Sequence, residues 1–97
     1  MPTIDPATLT NIERYALCTA CIIPRPIAWV STVDAAGVAN LAPFSFFGAV
    51  TSEPPTVMLS VGRRRGAPKD TAKNILATKE AVIHIPTKKL ASQMVHS

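Results

Sequence analysis

Ile27-Ala28-Trp29-Val30-Ser31-Thr32-Val33-Asp34-Ala35-Ala36-Gly37-Val38-Ala39-Asn40-Leu41 is the stretch from which the fold is read. Trp29, Val30 and Val33 are residue types that suit a pleated, half-buried surface. Pro24 and Pro26, just ahead, bar a helix. Asp34 opens a turn and Gly37 supplies a position where a positive φ is tolerated. Ile27 to Val33 and Val38 to Leu41 are therefore expected as the arms of a β-hairpin, with Pro43 ending the second arm.

Outward from this hairpin the chain alternates short strands with short helices. Upstream, Asp5-Pro6 is a helix start, because the carboxylate accepts from first-turn N–H groups and proline sacrifices nothing there. Leu9, Ile12 and Ala16 extend the pattern, so a helix is expected from about Pro6 to Tyr15. Downstream, Phe44-Ser45-Phe46-Phe47-Gly48 reads as a loop holding three of the five aromatic residues. Ala49 to Ser52 and Thr56 to Val61 read as strands around a turn at Glu53-Pro54-Pro55. Gly62 to Pro68 reads as a basic loop. Asp70 or Thr71 is expected to cap a helix with Ala72, Ile75 and Leu76 on one face, and Glu80 to Ile85 to form a strand stopped by Pro86. Thr87 is placed to cap a last helix, in which Leu90 pairs with Met94 and Ala91 with Val95. Five strands separated by single short helices predict a mainly β chain with short helices, a small β-barrel plugged at its ends. No further strand is visible to close it, so the barrel is expected to be incomplete.

Composition limits the function classes. Ninety-seven residues suit one domain, read as residues 1–97, and leave no room for a two-domain enzyme. With 47% hydrophobic and 16% charged residues, the chain folds but has little polar surface to spare. The start, Met1-Pro2-Thr3-Ile4-Asp5, lacks a secretion pattern and no run approaches a membrane span, so a cytoplasmic location away from membranes is expected. Cys18 and Cys21 form a lone Cys-x-x-Cys among apolar neighbours. That fits core cysteines better than a redox or zinc pair.

Charge is concentrated late in the chain. Before residue 63, Arg14 and Arg25 face four carboxylates; from residue 63 on, eight basic residues face only Asp70 and Glu80. The run Arg63-Arg64-Arg65, with Lys69 and Lys73, is suited to phosphate. The helix expected from Asp70 or Thr71 adds free N–H groups and a positive dipole end. The glycines at 37, 48, 62 and 66 compose neither a dinucleotide fingerprint nor a Walker loop. His84 and His96 have no metal-ligand spacing, no metal site is expected, and His84 reads as a wall residue of its strand. What remains is an anion site beside an aromatic loop, whose backbone groups and Ser45 suit the rim of a planar heterocycle.

Pro24 to Thr32, Asn40-Leu41-Ala42-Pro43-Phe44-Ser45-Phe46-Phe47, Pro54-Pro55, Ser60-Val61-Gly62-Arg63 and Lys69-Asp70-Thr71 with Asn74 occur here in order. Together they closely resemble the N-terminal part of the flavin reductase-like, FMN-binding split-barrel family, which includes flavoredoxins and the reductase components of two-component flavin monooxygenases. The resemblance runs from about Tyr15 to Met94. It implies FMN held non-covalently at or near a homodimer interface, NADH or NADPH as hydride donor, and a partner oxygenase as one possible destination for electrons. Carried over by position, Ser31 and Thr32 border the isoalloxazine, and Ser45, Phe46 and Phe47 contact the ring and ribityl chain. Ser60 and Arg63 meet the ribityl and phosphate region, while Lys69, Asp70 and Thr71 complete the phosphate cradle. No acid–base side chain is required for hydride transfer to a flavin, and no catalytic residue is named. Two other readings stand beside this one: a flavin-binding or electron-carrying module without reductase activity, and a basic nucleic-acid-binding barrel. The second lacks the aromatics interleaved with basic residues that base stacking calls for.

Overall fold

The computed structural model describes residues 2–97. Asp5 does cap Pro6, its Oδ1 accepting from the Ala7 N–H at 3.0 Å, but only a single 3₁₀ turn, Pro6–Thr8, follows. The helix proper, α1, spans Asn11–Cys21, six residues beyond the expected end at Tyr15. The reason is a stronger start signal five residues on. Thr10 Oγ1 accepts from the Glu13 N–H at 3.1 Å while Thr10 N–H donates to Glu13 Oε1 at 2.8 Å, a reciprocal capping box. Glu13 is fully exposed, and the Thr10 N–H, with the Thr10 hydroxyl second, holds its carboxyl below the usual value.

Seven strands follow, two more than expected. β1 (Ala28–Val33) and β2 (Ala39–Phe44) form the predicted hairpin, antiparallel with Val30 opposite Ala42. Asp34 Oδ1 accepts from the Ala36 and Val38 N–H groups at 2.8 and 2.9 Å, and Gly37 adopts φ +84. β2 runs through Pro43 instead of ending before it. It is an edge of its sheet, where a missing N–H leaves no ladder bond unmade. The aromatic loop is correspondingly short: Phe44 closes β2, and β3 (Phe47–Ser52) opens two residues earlier than expected and pairs with β4 (Pro55–Leu59). The basic loop is also ordered, as a miniature hairpin of β5 (Arg63–Arg64) and β6 (Ala67–Pro68). Arg65 (φ 53) and Gly66 (φ 77) form its turn, the positive-φ pair whose twist matches that of the strands.

α2 spans Asp70–Thr78, and β7 (Val82–His84) pairs with the other side of β1, giving the order β2-β1-β7. A 3₁₀ turn, Lys88–Leu90, leads into α3 (Ala91–Val95); Thr87 precedes the turn without a side-chain cap. The three sheets do not join, so among the described residues the barrel stays open.

Alternation along β1 sorts the packing. Ala28 and Val30, fully buried, and Phe44 form the core, against which Ala42, Phe47, Leu59 and Val61 pack. Thr32 continues the same face and receives α2, though not by the expected apolar stripe. Leu76 is 76% exposed, and the buried residues of α2 are Thr71 and Asn74. Asn74 Nδ2 donates to Thr32 Oγ1 and Asn40 Nδ2 to Thr71 Oγ1, each at 3.0 Å. A polar seam therefore holds the helix, and each buried amide and hydroxyl in it has a partner.

Candidate functional site

The cleft that collects the basic residues has a volume of about 800 Å³ and runs along the β2 edge. One wall is Asn40 to Phe44. Arg64 and Arg65 from the miniature hairpin, and Lys69, Asp70 and Thr71 from the start of α2, form the other. Each element places its residue for a local reason. The tight turn at Arg65-Gly66 folds the arginine run back on itself, and Pro68, ending β6, hands the chain to α2. The N-cap of α2 is Lys69, with an extended backbone and no side-chain cap bond, rather than Asp70 or Thr71 as expected. The first backbone bond into the helix runs from Lys73 N–H to Lys69 O at 3.1 Å. The N–H groups of Asp70, Thr71 and Ala72 precede it, and a helix offers them no internal acceptor.

This arrangement suits an anion. Two guanidinium groups, one ammonium and an open helix N-terminus converge on one cleft, each favouring negative charge. Lys69 Nζ stands 5.9 Å from the centre of the Phe44 ring, so cation and aromatic share the rim. Asp70 brings one carboxylate to the same wall. The Thr71 hydroxyl is engaged by Asn40, so Thr71 has its backbone N–H to offer.

The expected site residues fall into three groups, with Arg63 apart from all of them. Lys69, Asp70 and Thr71 line the basic cleft together. Arg63 does not line it, because its Nη1 donates to Gly66 O at 3.3 Å within its own hairpin; Arg64 and Arg65 occupy the wall instead. Ser45, Phe46, Phe47 and Ser60 gather at the near end of the β3–β4 hairpin, where Ser60 N–H donates to Phe46 O at 2.9 Å and Phe47 pairs with Leu59. Phe46 stacks on Tyr15 with ring centres 5.8 Å apart, and the Arg25 guanidinium sits 5.5 Å from its centre. Ser31 and Thr32 line a different cleft, of about 680 Å³, with Val33, Ala39 and Lys79 to Val82. The Thr32 side chain is buried under Asn74, whereas Ser31 faces the opposite side of the sheet beside His84.

Two features of the cleft were not legible locally: the bond between Asn40 and Thr71, and which arginines of the basic run face the cleft. Asn40, which holds Thr71, carries no local signal, since its partner is 31 residues away. The exchange of Arg63 for Arg64 and Arg65 follows from the miniature hairpin, whose turn sets Arg65 and Gly66 at positive φ.

Comparison with known proteins gives a consistent picture. A family model described as flavin reductase like domain matches residues 20–97. A protein of Halalkalibacterium halodurans is 47% identical over 83 residues, covering 84% of this chain and 40% of its own. YwrF of Bacillus subtilis is 45% identical over 77 residues, covering 79% and 38%. Among solved structures, nitrilotriacetate monooxygenase component B from Bacillus cereus superposes with a TM-score of 0.90 at 39% identity, over 98% of this chain and 47% of that one. Pseudomonas fluorescens 2-nitrobenzoate 2-nitroreductase NbaA gives 0.82 at 32% identity, over 97% and 45%. The chain thus spans less than half the length of each of these relatives.

Proposed function

This chain belongs to the flavin reductase-like family and has the fold of an incomplete split barrel, and from that premise we propose that it binds FMN non-covalently and serves NAD(P)H-dependent flavin reduction. Family membership supports a flavin-related, oxidoreductase-like role. The observation that carries the finer reading is the convergence of Arg64, Arg65, Lys69 and the uncapped α2 start on one cleft, a donor set that fits a phosphomonoester. Riboflavin has no such group, whereas FMN does.

When bound, the flavin supplies the hydride-accepting chemistry and NADH or NADPH the hydride. The residues of this chain do the remaining work. Arg64, Arg65 and Lys69 hold the phosphate, with the backbone N–H groups of Asp70, Thr71 and Ala72 beneath it. Arg63, bonded to Gly66 O, braces the hairpin that carries Arg64 and Arg65. Ser45, Phe46, Phe47 and Ser60 border the ribityl chain and ring, and Ser31 marks the far limit of the ring site, with Thr32 behind it in the sheet, bonded to Asn74. No side chain of this chain is assigned a proton transfer in hydride delivery. Residues 1–97 act as one flavin-holding unit, assembled as a homodimer, and electrons leave to free flavin, oxygen or a partner oxygenase. The site is cytoplasmic, where reduced nicotinamides are available.

The test is a pair of titrations by flavin fluorescence. Wild type is expected to bind FMN more tightly than riboflavin. Lys69→Ala or Arg64→Ala should weaken FMN by about ten- to a hundredfold, the loss of one charge-assisted contact worth about 1.5–3 kcal/mol, and leave riboflavin nearly unchanged. Equal affinity for the two flavins would remove the phosphate assignment. The alternative is a flavin-holding module without reductase activity. It is excluded if NADH or NADPH bleaches the bound flavin within catalytic turnover times.

A further inference from the structure

His84 is a titratable group that the flavin reading leaves unused. β7 lies antiparallel to β1 with Trp29 opposite His84 and Ser31 opposite Val82, so Ser31 and His84 are diagonal neighbours on one face. A hydrogen bond of 3.0 Å joins Ser31 Oγ and His84 Nε2. The Trp29 ring backs the imidazole edge to face, with centres 6.4 Å apart at 71°. Around the pair the same face presents the exposed side chains of Val33, Leu41 and Val82. Ser31, Val33 and Val82 line the second cleft, and Leu41, opposite Ser31, lines the basic one, so this apolar face connects the two.

We propose that Ser31 and His84 form a proton-controlled recognition pair: protonation of His84 turns the Ser31 hydroxyl outward, as donor to the acceptor edge of a planar heterocycle lying on this face. The proposal rests on the flavin reading for the identity of that heterocycle. A serine hydroxyl has one proton to give. Neutral His84 with its proton on Nδ1 takes that proton in the Ser31–Nε2 bond, and Ser31 then offers the cleft only a lone pair. Protonated His84 donates from Nε2 to Ser31 Oγ, and the hydroxyl proton is released toward the ligand. The C2 and C4 carbonyl oxygens and the N1 and N5 atoms of an isoalloxazine are acceptors matched to the second state.

Histidine is the side chain that ordinarily changes charge between pH 5 and 8, which sets the range to be tested. Few charges interfere. β1, β2 and α3 contribute none, and the charged groups on the cleft are Lys79 and Glu80, with His96 beyond α3. The sign follows by linkage. The bound state favours protonated His84, so affinity rises as pH falls, and ligand raises the His84 titration midpoint.

Riboflavin is the probe, since the second ionisation of a phosphate near pH 6 would confound FMN. Its affinity is measured by fluorescence quenching between pH 5.5 and 8.5 for wild type, Ser31→Ala, His84→Asn and His84→Gln. The His84 imidazole is titrated by NMR with and without riboflavin. Wild type is expected to bind about three- to tenfold more tightly at the acid end, the value of one added hydrogen bond. All three variants should be flat, and riboflavin should raise the His84 midpoint in wild type but not in Ser31→Ala. All these variants keep Lys79, Glu80 and His96, so a pH dependence that persists in them overturns the proposal. So does a flat wild-type profile or an unmoved midpoint. If neither riboflavin nor FMN binds at any pH, the flavin reading itself fails and takes this inference with it; binding without pH dependence overturns the switch alone.

Discussion

Asn74 puts an amide where an apolar contact was expected, and the bond it makes to Thr32 is buried, with Asn74 8% and Thr32 4% exposed. Removing one partner there leaves the other without a bond and without water. Asn74→Ala should lower stability by about 1–3 kcal/mol in urea denaturation, and combining it with Thr32→Val should recover part of that loss. Glu13 gives a second test at this scale. Its carboxyl is held below the usual value by the Thr10 N–H, so its contribution is present above the unfolded-state value and disappears as pH falls through the folded one. Following the carboxyl carbon of Glu13 and the amides of Thr10 and Glu13 by NMR on acidification should show a depressed midpoint and α1 fraying from its start. Thr10→Ala should return the midpoint toward the ordinary carboxylate range. Both residues stand in plain view in the sequence. Thr10-x-x-Glu13 is a local signal that competes with Asp5-Pro6, whereas the partner of Asn74 lies 42 residues away, beyond the reach of local patterning.

At the scale of elements, what was legible followed from backbone constraint. The β1–β2 hairpin was read correctly because aspartate and glycine perform separable tasks in its turn, one accepting two N–H bonds and the other adopting φ +84. Gly37→Ala should cost about 1 kcal/mol by forcing a side chain into the left-handed region, with space around it unaltered, since nothing lies within 4 Å of the added carbon. Thermal denaturation against wild type measures it. The β5–β6 hairpin was not legible, because arginine in a positive-φ turn is a departure from type and two-residue strands leave no periodicity. The inward face of α2 was misassigned for a related reason. A helix that docks by hydrogen bonds buries Thr71 and Asn74 and leaves Leu76 outside, and apolar periodicity cannot report that. Of the site, Lys69, Asp70 and Thr71 were readable as charge meeting a helix start, but the meeting of Ser31 with His84 depends on β7 joining β1 across 53 residues.

Over the whole molecule, the imbalance is between a small core and a large apolar exterior. Among the described residues the buried apolar ones are Ala28, Trp29, Val30, Phe44 and Met94, while eighteen large apolar side chains are exposed, Ile12, Leu76 and Ile85 among them by three quarters or more. Such a surface favours association. For the proposed homodimer, sedimentation equilibrium of the 97-residue chain is expected to give twice the mass of one chain, and a monomer at micromolar concentration would remove that assignment. α1 shows the imbalance most clearly, for none of its residues is buried. It is held by Arg25, whose Nη1 takes the carbonyls of Thr19 and Ile22 at 3.0 and 2.9 Å while its guanidinium covers Phe46, and by Tyr15 on that same ring. Opening α1 exposes almost no core, so its amides should exchange with deuterium orders of magnitude faster than those of β1, and a protease should clip this helix while the β1–β2 hairpin is still intact.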